Sequence, residues 1–395
     1  MNPLKELTVL ALEQATVLPY LTYRLAMDGL RVIRLEHPVY GDPNRLVGDN
    51  FLGEERMNMY FMAINAGKEA LTLNLGDLAG VALLDELLVK LDVDIFATNQ
   101  LPRNYDKLSI SYERLAKIKP DLIWLGLTGF GPQSNEAAYD PILQARGGLM
   151  ELTGEAGGDP QVVGVPLPDM GTSEHAYGLL MKALFHRAKT GQGQRIDVSM
   201  FMSTVSWLTV PITLTALGKR ISRRGNTHEF FAPVSVYRTR DGFVYVAVGN
   251  DKQWANLVKL EGFEQLARDE YARNAGRIED VVNLNKALGQ AFGRYTSAEI
   301  IARLNEIGVA VSAINSIEKV MADLLVEENL LWAEDEKTGT RLTLAPPPFL
   351  TPFLKESGRK LSFPPRFGQH NQALYGKVLG RSDQELAELK ERGVI

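Results

Sequence analysis

"LTVLALEQATVLPYLTYRLAMDGLRVIRLE", residues 7–36, carries the pattern on which the fold turns. The apolar run at 7–12 reads as a buried strand, Pro19 to Gly29 as a helix, and 31–36 as a second strand that ends in Glu36. The alternation continues downstream. A helix is predicted over 78–91, with Val81, Leu84, Leu87, Leu88 and Leu91 on one face. Strand 93–99, helix 111–120 and strand 122–128 follow. Strands that alternate with helices predict a parallel, doubly wound sheet. Ligands bind such sheets at the carboxyl ends of the strands, here "ATNQLPRN" (97–104) and "TGFGPQSNEAAYD" (128–140).

The β–α–β opening resembles half of a Rossmann fold, in which the acid ending the second strand holds a ribose. Its first turn, "EQATVLPY", has no GxGxxG, so the signal for NAD is absent. A chain of 395 residues exceeds the usual size of one core and predicts two domains. The net charge of −5 gives no general attraction to nucleic acid or anionic lipid. With no cysteine there is no disulfide, thiolate nucleophile or Cys-based metal site. The five histidines show no metal-ligand spacing, so no metal is expected. The N-terminus lacks the apolar core of a signal peptide. Residues 198–217, uncharged and long enough to span a membrane, hold many Ser and Thr plus Pro211, and read as a buried helix.

One acid stands out in "VGVPLPDMGTSEHAYG" (163–178). Asp169 follows a proline-marked extended run and precedes a helical pattern with Ala176, Leu179, Leu180, Ala183 and Leu184 on one face. The residues alone favour an N-cap, because Asp accepts hydrogen bonds from first-turn amides, and leave a chemical role open.

The composition then changes. "GKRISRRGNTHE" (218–229) is basic and glycine-punctuated, and suits a solvated crossing between domains. A hairpin turning at Asp241-Gly242 follows, then helical patterns and a strand at 309–315. "LAPPPFLTPFL" (344–354) is a proline-stiffened return, and the chain ends in the helix of "SDQELAELKERGV". The domains expected are 1–218, 219–329 and a return segment 330–395 that completes the first.

Several blocks in this order resemble the family III CoA-transferases, which include formyl-CoA and carnitine CoA-transferases and an acyl-CoA racemase branch. They are "LRVIRLEHPVYGDPNR", "INAGKEALTLNL", "LIWLGLTGFG", "YDPILQARGGLMELTGE", the Asp169 block, "TGQGQRIDVSM", "GNTH", "DGFVYVAVGND" and "GQHNQAL". The resemblance implies an α/β protein with a Rossmann-like parallel-sheet large domain and a smaller α+β domain. It also implies an intertwined, ring-like homodimer in the cytoplasm. Acyl-CoA and a carboxylic acid would be its substrates, with coenzyme A as co-substrate, no metal and no NAD.

By the same resemblance Asp169 is the nucleophile, passing through an aspartyl anhydride and an aspartyl-CoA thioester. Amides near Gly171 would stabilise the oxyanion. Tyr139 stands where the racemases carry a histidine, and a phenol, with pKa about 10, is a poor base at neutral pH; transfer is therefore expected over racemisation. Thr16 matches a polar position beside the thioester. His37, Asn99 and Lys107 match positions along the bound CoA. Arg146, where relatives often have a small or apolar residue, could clamp a second carboxylate and so favour a dicarboxylate. Three departures are visible: Val17-Leu18-Pro19 replaces small residues in the first turn, "NQLPR" replaces "NFRPG", and "GNTHEFFAPV" replaces a glycine-rich flap. They argue against formyl transfer to oxalate and leave an inactive CoA-binding relative as an alternative.

Overall fold

The computed structural model describes residues 3–395. The described residues form two compact units, one from residues 3–149, 162–217 and 325–395, the other from 150–161 and 218–324. Residues 150–161, grouped by the sequence reading with the large domain, thus belong to the second unit.

The first unit is built on six parallel strands: β1 (Thr8–Leu12), β2 (Arg31–Glu36), β3 (Lys68–Thr72), β4 (Ile95–Thr98), β5 (Ile123–Thr128) and β6 (Gln194–Ser199). Their order is β3-β2-β1-β4-β5-β6, with every neighbouring pair parallel. The direction of winding reverses between β1 and β4, which opens a crevice at their carboxyl ends. Apolar side chains cover both faces, as a parallel sheet requires. Leu10, Ile33, Phe96 and Trp124 lie on one face; Val9, Val32, Ile95 and Leu125 lie on the other.

β3 was not read as a strand, and the reason is physical. "KEALT" is short and opens with two charges, and its edge position is completed by side chains rather than by a seventh strand. His370 Nδ1 accepts from the Ala70 N–H (3.0 Å), and Asn371 Oδ1 accepts from the Thr72 N–H (3.0 Å). The His370 N–H donates to the Ala70 carbonyl (3.0 Å). The "GQHN" of the return segment therefore closes an edge that would otherwise offer free backbone groups.

Glu36 is not free to hold a ribose. Three anions (Glu13, Glu36, Asp42) and three cations (Arg34, Arg45, Lys68) form a fully buried, balanced network at the carboxyl ends of β1 and β2. Arg45 grips Glu36 with two bonds of 2.7 Å, and Arg34 donates to Asp42 (2.7 Å) and Asn65 (2.7 Å). Lys68 donates to Glu13 (3.0 Å), Asn65 and the Pro19 carbonyl. The Arg45 and Arg34 guanidinium groups lie over the Phe61 ring.

The apolar segment at 198–217 forms two helices, Met200–Val205 and Thr209–Ala216, in place of one buried helix. Ser199 caps the first through the Met202 N–H, and the chain turns at Ser206-Trp207-Leu208. The second helix has no buried residue, with Val210 and Ile212 about half exposed. No helix among the described residues is long and apolar enough to cross a membrane. The return segment adds β10 (Leu331–Glu334), β11 (Arg341–Leu344) and β12 (Lys360–Leu361) to the first unit as a small sheet, numbered after the three strands of the second unit.

In that second unit, β7 (Val234–Arg238), β8 (Phe243–Ala247) and β9 (Ala310–Ala313) make an antiparallel sheet in sequence order. Its core gathers Tyr237, Val246, Trp254, Phe263, Phe292 and Leu304. Arg277 is fully buried and donates to the carbonyls of Ala232 and Tyr271 and to Asp251.

Removing one member of a buried ion network leaves its partner charged and unpaired, at a cost of about 3–5 kcal/mol. Arg34→Ala should therefore lower the denaturant midpoint of unfolding strongly. A midpoint equal to that of the parent chain would show that the network does not hold the first unit together.

Candidate active site

The crevice between β1 and β4 continues as a cleft of about 850 Å³, lined by the segments that follow β1, β4 and β5, by residues 136–141 and 162–166, and by Asp169. The turn after β1 is held by side chains at every backbone group of two residues. Asn99 accepts from the Gln14 N–H (3.2 Å) and donates to the Gln14 carbonyl (2.8 Å). Asp42 accepts from the Ala15 N–H (3.0 Å), and Asn44 donates to the Ala15 carbonyl (2.7 Å). Ala15 has φ 61°, a left-handed conformation that costs a non-glycine residue about 1–2 kcal/mol. The four bonds offset that strain. They set Thr16, the first residue before the Val17–Met27 helix, in the cleft wall, buried and without a capping bond from its own side chain.

Asp169 is not an N-cap. The helix that carries it runs Leu167–Thr190, beginning before the acid, and its first flanking residue is Pro166. Asp169 is the third residue of that helix and lines the cleft. Its carboxyl has no hydrogen-bond or ion-pair partner among the described residues. Burial pushes its pKa up to about 7, and the neighbouring Asp140 carboxylate adds to the rise.

Asp140 was missed in the sequence. It opens the Asp140–Arg146 helix and is almost fully buried. Its Oδ2 accepts from the Asp169 N–H (3.2 Å) and its Oδ1 from Gln144 Nε2 (2.6 Å). The Gln144 oxygen in turn accepts from the Val163 N–H (2.8 Å), tying the 162–166 run to the same helix. Burial raises the Asp140 pKa, against the two hydrogen bonds that favour its anion. The only hint in the sequence was the Asp-Pro start of a short helix with Gln four residues on, which reads as local capping.

Gly171 does not supply an oxyanion donor. It lies inside the helix, where its N–H is directed to the carbonyl four residues back. Trp207 covers its open face: a Cβ built on Gly171 would meet the indole at 1.6 Å. Behind it, Ser173 donates to the Val17 carbonyl (2.5 Å) and stands 2.9 Å from the Asp169 carbonyl. The helix start is thereby pinned to the turn that carries Thr16.

The structure brings Asp169, Thr16, Tyr139 and Asn99 into this one cleft. Tyr139 is largely exposed at the rim. Arg146 is not in the lining: its Nη1 donates to both Glu136 oxygens (2.9 Å each), and its guanidinium lies over Phe130 and Phe201. Glu136 does line the cleft. His37 and Lys107 border a neighbouring pocket of about 260 Å³, whose wall shares Gln14 and Gln100 with the larger cleft. His37 Nδ1 accepts from the Val39 N–H (3.1 Å), its ring packs on Tyr40, and burial lowers its pKa, so it is neutral at pH 7. Lys107 is exposed, in a turn. No group of three or more His, Cys, Asp or Glu among the described residues is placed to hold a metal ion.

The comparison with known proteins agrees with this geometry. The family model described as CoA-transferase family III matches residues 4–371. A Mus musculus protein named succinyl-CoA:glutarate CoA-transferase is 31% identical over 401 residues, covering 100% of this chain and 91% of its own. An Acetobacter aceti protein named acetyl-CoA:oxalate CoA-transferase is 34% identical over 319 residues, covering 79% and 81%. Among solved structures, a CAIB/BAIF family protein from Brucella suis superposes with a TM-score of 0.83 at 30% identity, covering 95% of this chain and 99% of that one. A sheet of this order, a cleft at its switch point and a match along nearly the whole length lead to one conclusion: the chain belongs to CoA-transferase family III.

Proposed function

We propose that the protein moves CoA from an acyl-CoA to a free carboxylic acid through covalent intermediates on Asp169. One observation carries this reading: a carboxyl without a hydrogen-bond partner stands in the cleft with its pKa raised to about 7. A carboxylate stripped of hydrogen bonds and partly of water is a better nucleophile than a solvated one. Asp169 attacks the thioester carbonyl, and the C–S bond breaks to release CoA thiolate and leave a mixed anhydride. The thiolate then attacks the aspartyl carbonyl, the donor acid departs as carboxylate, and Asp169 carries CoA as a thioester. The acceptor carboxylate attacks that thioester and expels the thiolate again, giving a second anhydride. The thiolate attacks its acyl carbon, forms the new acyl-CoA and restores Asp169. No proton or electron is gained or lost over the cycle.

In this reading the smaller pocket, with His37 and Lys107, takes the nucleotide end of CoA, and the cleft takes the thioester. The shared wall at Gln14 and Gln100 supports that division. With His37 neutral, Lys107 is the cation offered to a phosphate. Thr16 lies beside the thioester, and Asn99 acts chiefly through its grip on Gln14. The names of relatives in mouse, human and Agrobacterium fabrum, which join succinyl-CoA or succinate to glutarate, make short dicarboxylates the first substrates to test. Arg146 would contribute by exchanging Glu136 for a substrate carboxylate. A cytoplasmic, intertwined homodimer is the assembly we propose, and the exposed apolar residues of the Thr209–Ala216 helix are consistent with a second copy covering them.

Asp169→Ala should abolish succinyl-CoA:glutarate transfer with the fold retained; full activity in that variant would end the nucleophile assignment. Activity of the parent chain should rise with pH up to about 7, as Asp169 loses its proton. Asp140→Asn removes the neighbouring charge, so the acid limb of its pH profile should move to lower pH; an unmoved limb would show that Asp140 does not perturb Asp169. Stability should report the same group. The native chain keeps the proton up to about pH 7, whereas the unfolded chain releases it near about pH 4, so the native state binds more protons between these values. Stability attributable to this group therefore falls as pH rises through that window. Asp169→Asn should melt with the parent near pH 4 and a few degrees above it at pH 8, and equal melting at both would contradict the raised pKa.

A further inference from the structure

The cleft lining contains a buried hydroxyl that neither the fold nor the transfer steps above employ. Thr128 ends β5, lines the cleft and is only 5% exposed. Its Oγ1 has no hydrogen-bond partner among the described residues. By contrast the hydroxyl of Ser199, opposite Thr128 in register on β6, donates to the Gly129 carbonyl, and those of Thr172 and Ser173 donate to the Pro168 and Val17 carbonyls. The two other buried hydroxyls in the same condition, those of Tyr23 and Tyr105, lie outside the cleft lining. A buried hydroxyl without a partner is unfavourable, and native chains keep few of them. Oγ1 has three staggered positions about χ1, so a single rotamer step re-aims the hydroxyl without moving the backbone.

We propose that Thr128 is a substrate-binding residue whose hydroxyl donates to an acyl or carboxylate oxygen of the molecule bound in the Asp169 cleft. A donor fits because Leu127 and Gly129 beside it in the lining bring no side-chain acceptor and Met200 brings only a weak one, its thioether sulfur. The inference rests on the reading of this cleft as the CoA-transfer site. It also gives a residue-level use to the "LTGFG" stretch, which the sequence marked as a ligand-binding strand end and a block of resemblance.

The test compares the parent chain with Thr128→Val and Thr128→Ser in three measurements: succinyl-CoA:glutarate kinetics, calorimetric titration with succinyl-CoA, and melting without ligand. Valine keeps the branched shape and deletes the hydroxyl. Thr128→Val should lose about tenfold or more in kcat/KM and bind succinyl-CoA more weakly, while melting at or above the parent temperature. Thr128→Ser, which retains the hydroxyl, should recover most of the loss. Parental kinetics and affinity in Thr128→Val would overturn the proposal. So would a drop of several degrees in its melting temperature that serine restores, because the hydroxyl would then hold a structural partner. If the parent chain moves no CoA, the proposed reaction fails, and the titration still decides Thr128: weaker binding by Thr128→Val supports the proposal and equal binding overturns it.

Discussion

The buried ion pair between Arg34 and Asp42 ties the sheet to its chemistry. One Asp42 oxygen meets Arg34 at 2.7 Å; the other accepts the N–H groups of Ala15 and Asn44. Through the first, Asp42 belongs to a balanced network of six buried charges beneath the carboxyl ends of β1 and β2. Through the second, it fixes a left-handed alanine and with it the wall of the cleft. Burying charge is costly in itself, and such networks are weak evidence for net stability. What this one provides is a turn with a single conformation, at the place where the sheet topology opens a crevice.

The same economy governs Asp169. An acid in the first turn of a helix is favoured by the helix dipole, and a capping role would lower its pKa further. Here the helix starts two residues earlier, so the carboxyl is released from capping, while Asp140 takes the Asp169 N–H. The result is a carboxyl near its protonation midpoint at pH 7, in a cleft that limits its access to water. Folding would be easier without it. Unfavourable groups of this kind persist where reactivity requires them.

The parallel sheet was legible because buried parallel strands read as largely apolar runs, and β1, β4 and β5, buried at every position, follow that rule. β3 did not, because its leading lysine belongs to the ion network and its edge is closed by His370 and Asn371 from the far end of the chain. Pairings so distant in sequence leave no local trace. Residues 198–217 differ from their reading for a related reason: apolar composition implies burial only when something covers it, and nothing among the described residues buries the Thr209–Ala216 helix. At the site, the resemblance led to Asp169, but the true helix start, the loss of Gly171 as a donor and the role of Asp140 depend on one turn of geometry that spacing alone does not fix. Asn99 was assigned to CoA, and the structure shows it holding the backbone of Gln14.

The central claim is that Asp169 becomes covalently modified during turnover. Mass spectrometry of the peptide containing Asp169, after incubation with succinyl-CoA and borohydride trapping, tests it most directly. The account predicts a mass change confined to Asp169 that disappears once an excess of acceptor acid has discharged the enzyme. An unmodified peptide from protein that demonstrably binds and turns over acyl-CoA would contradict it.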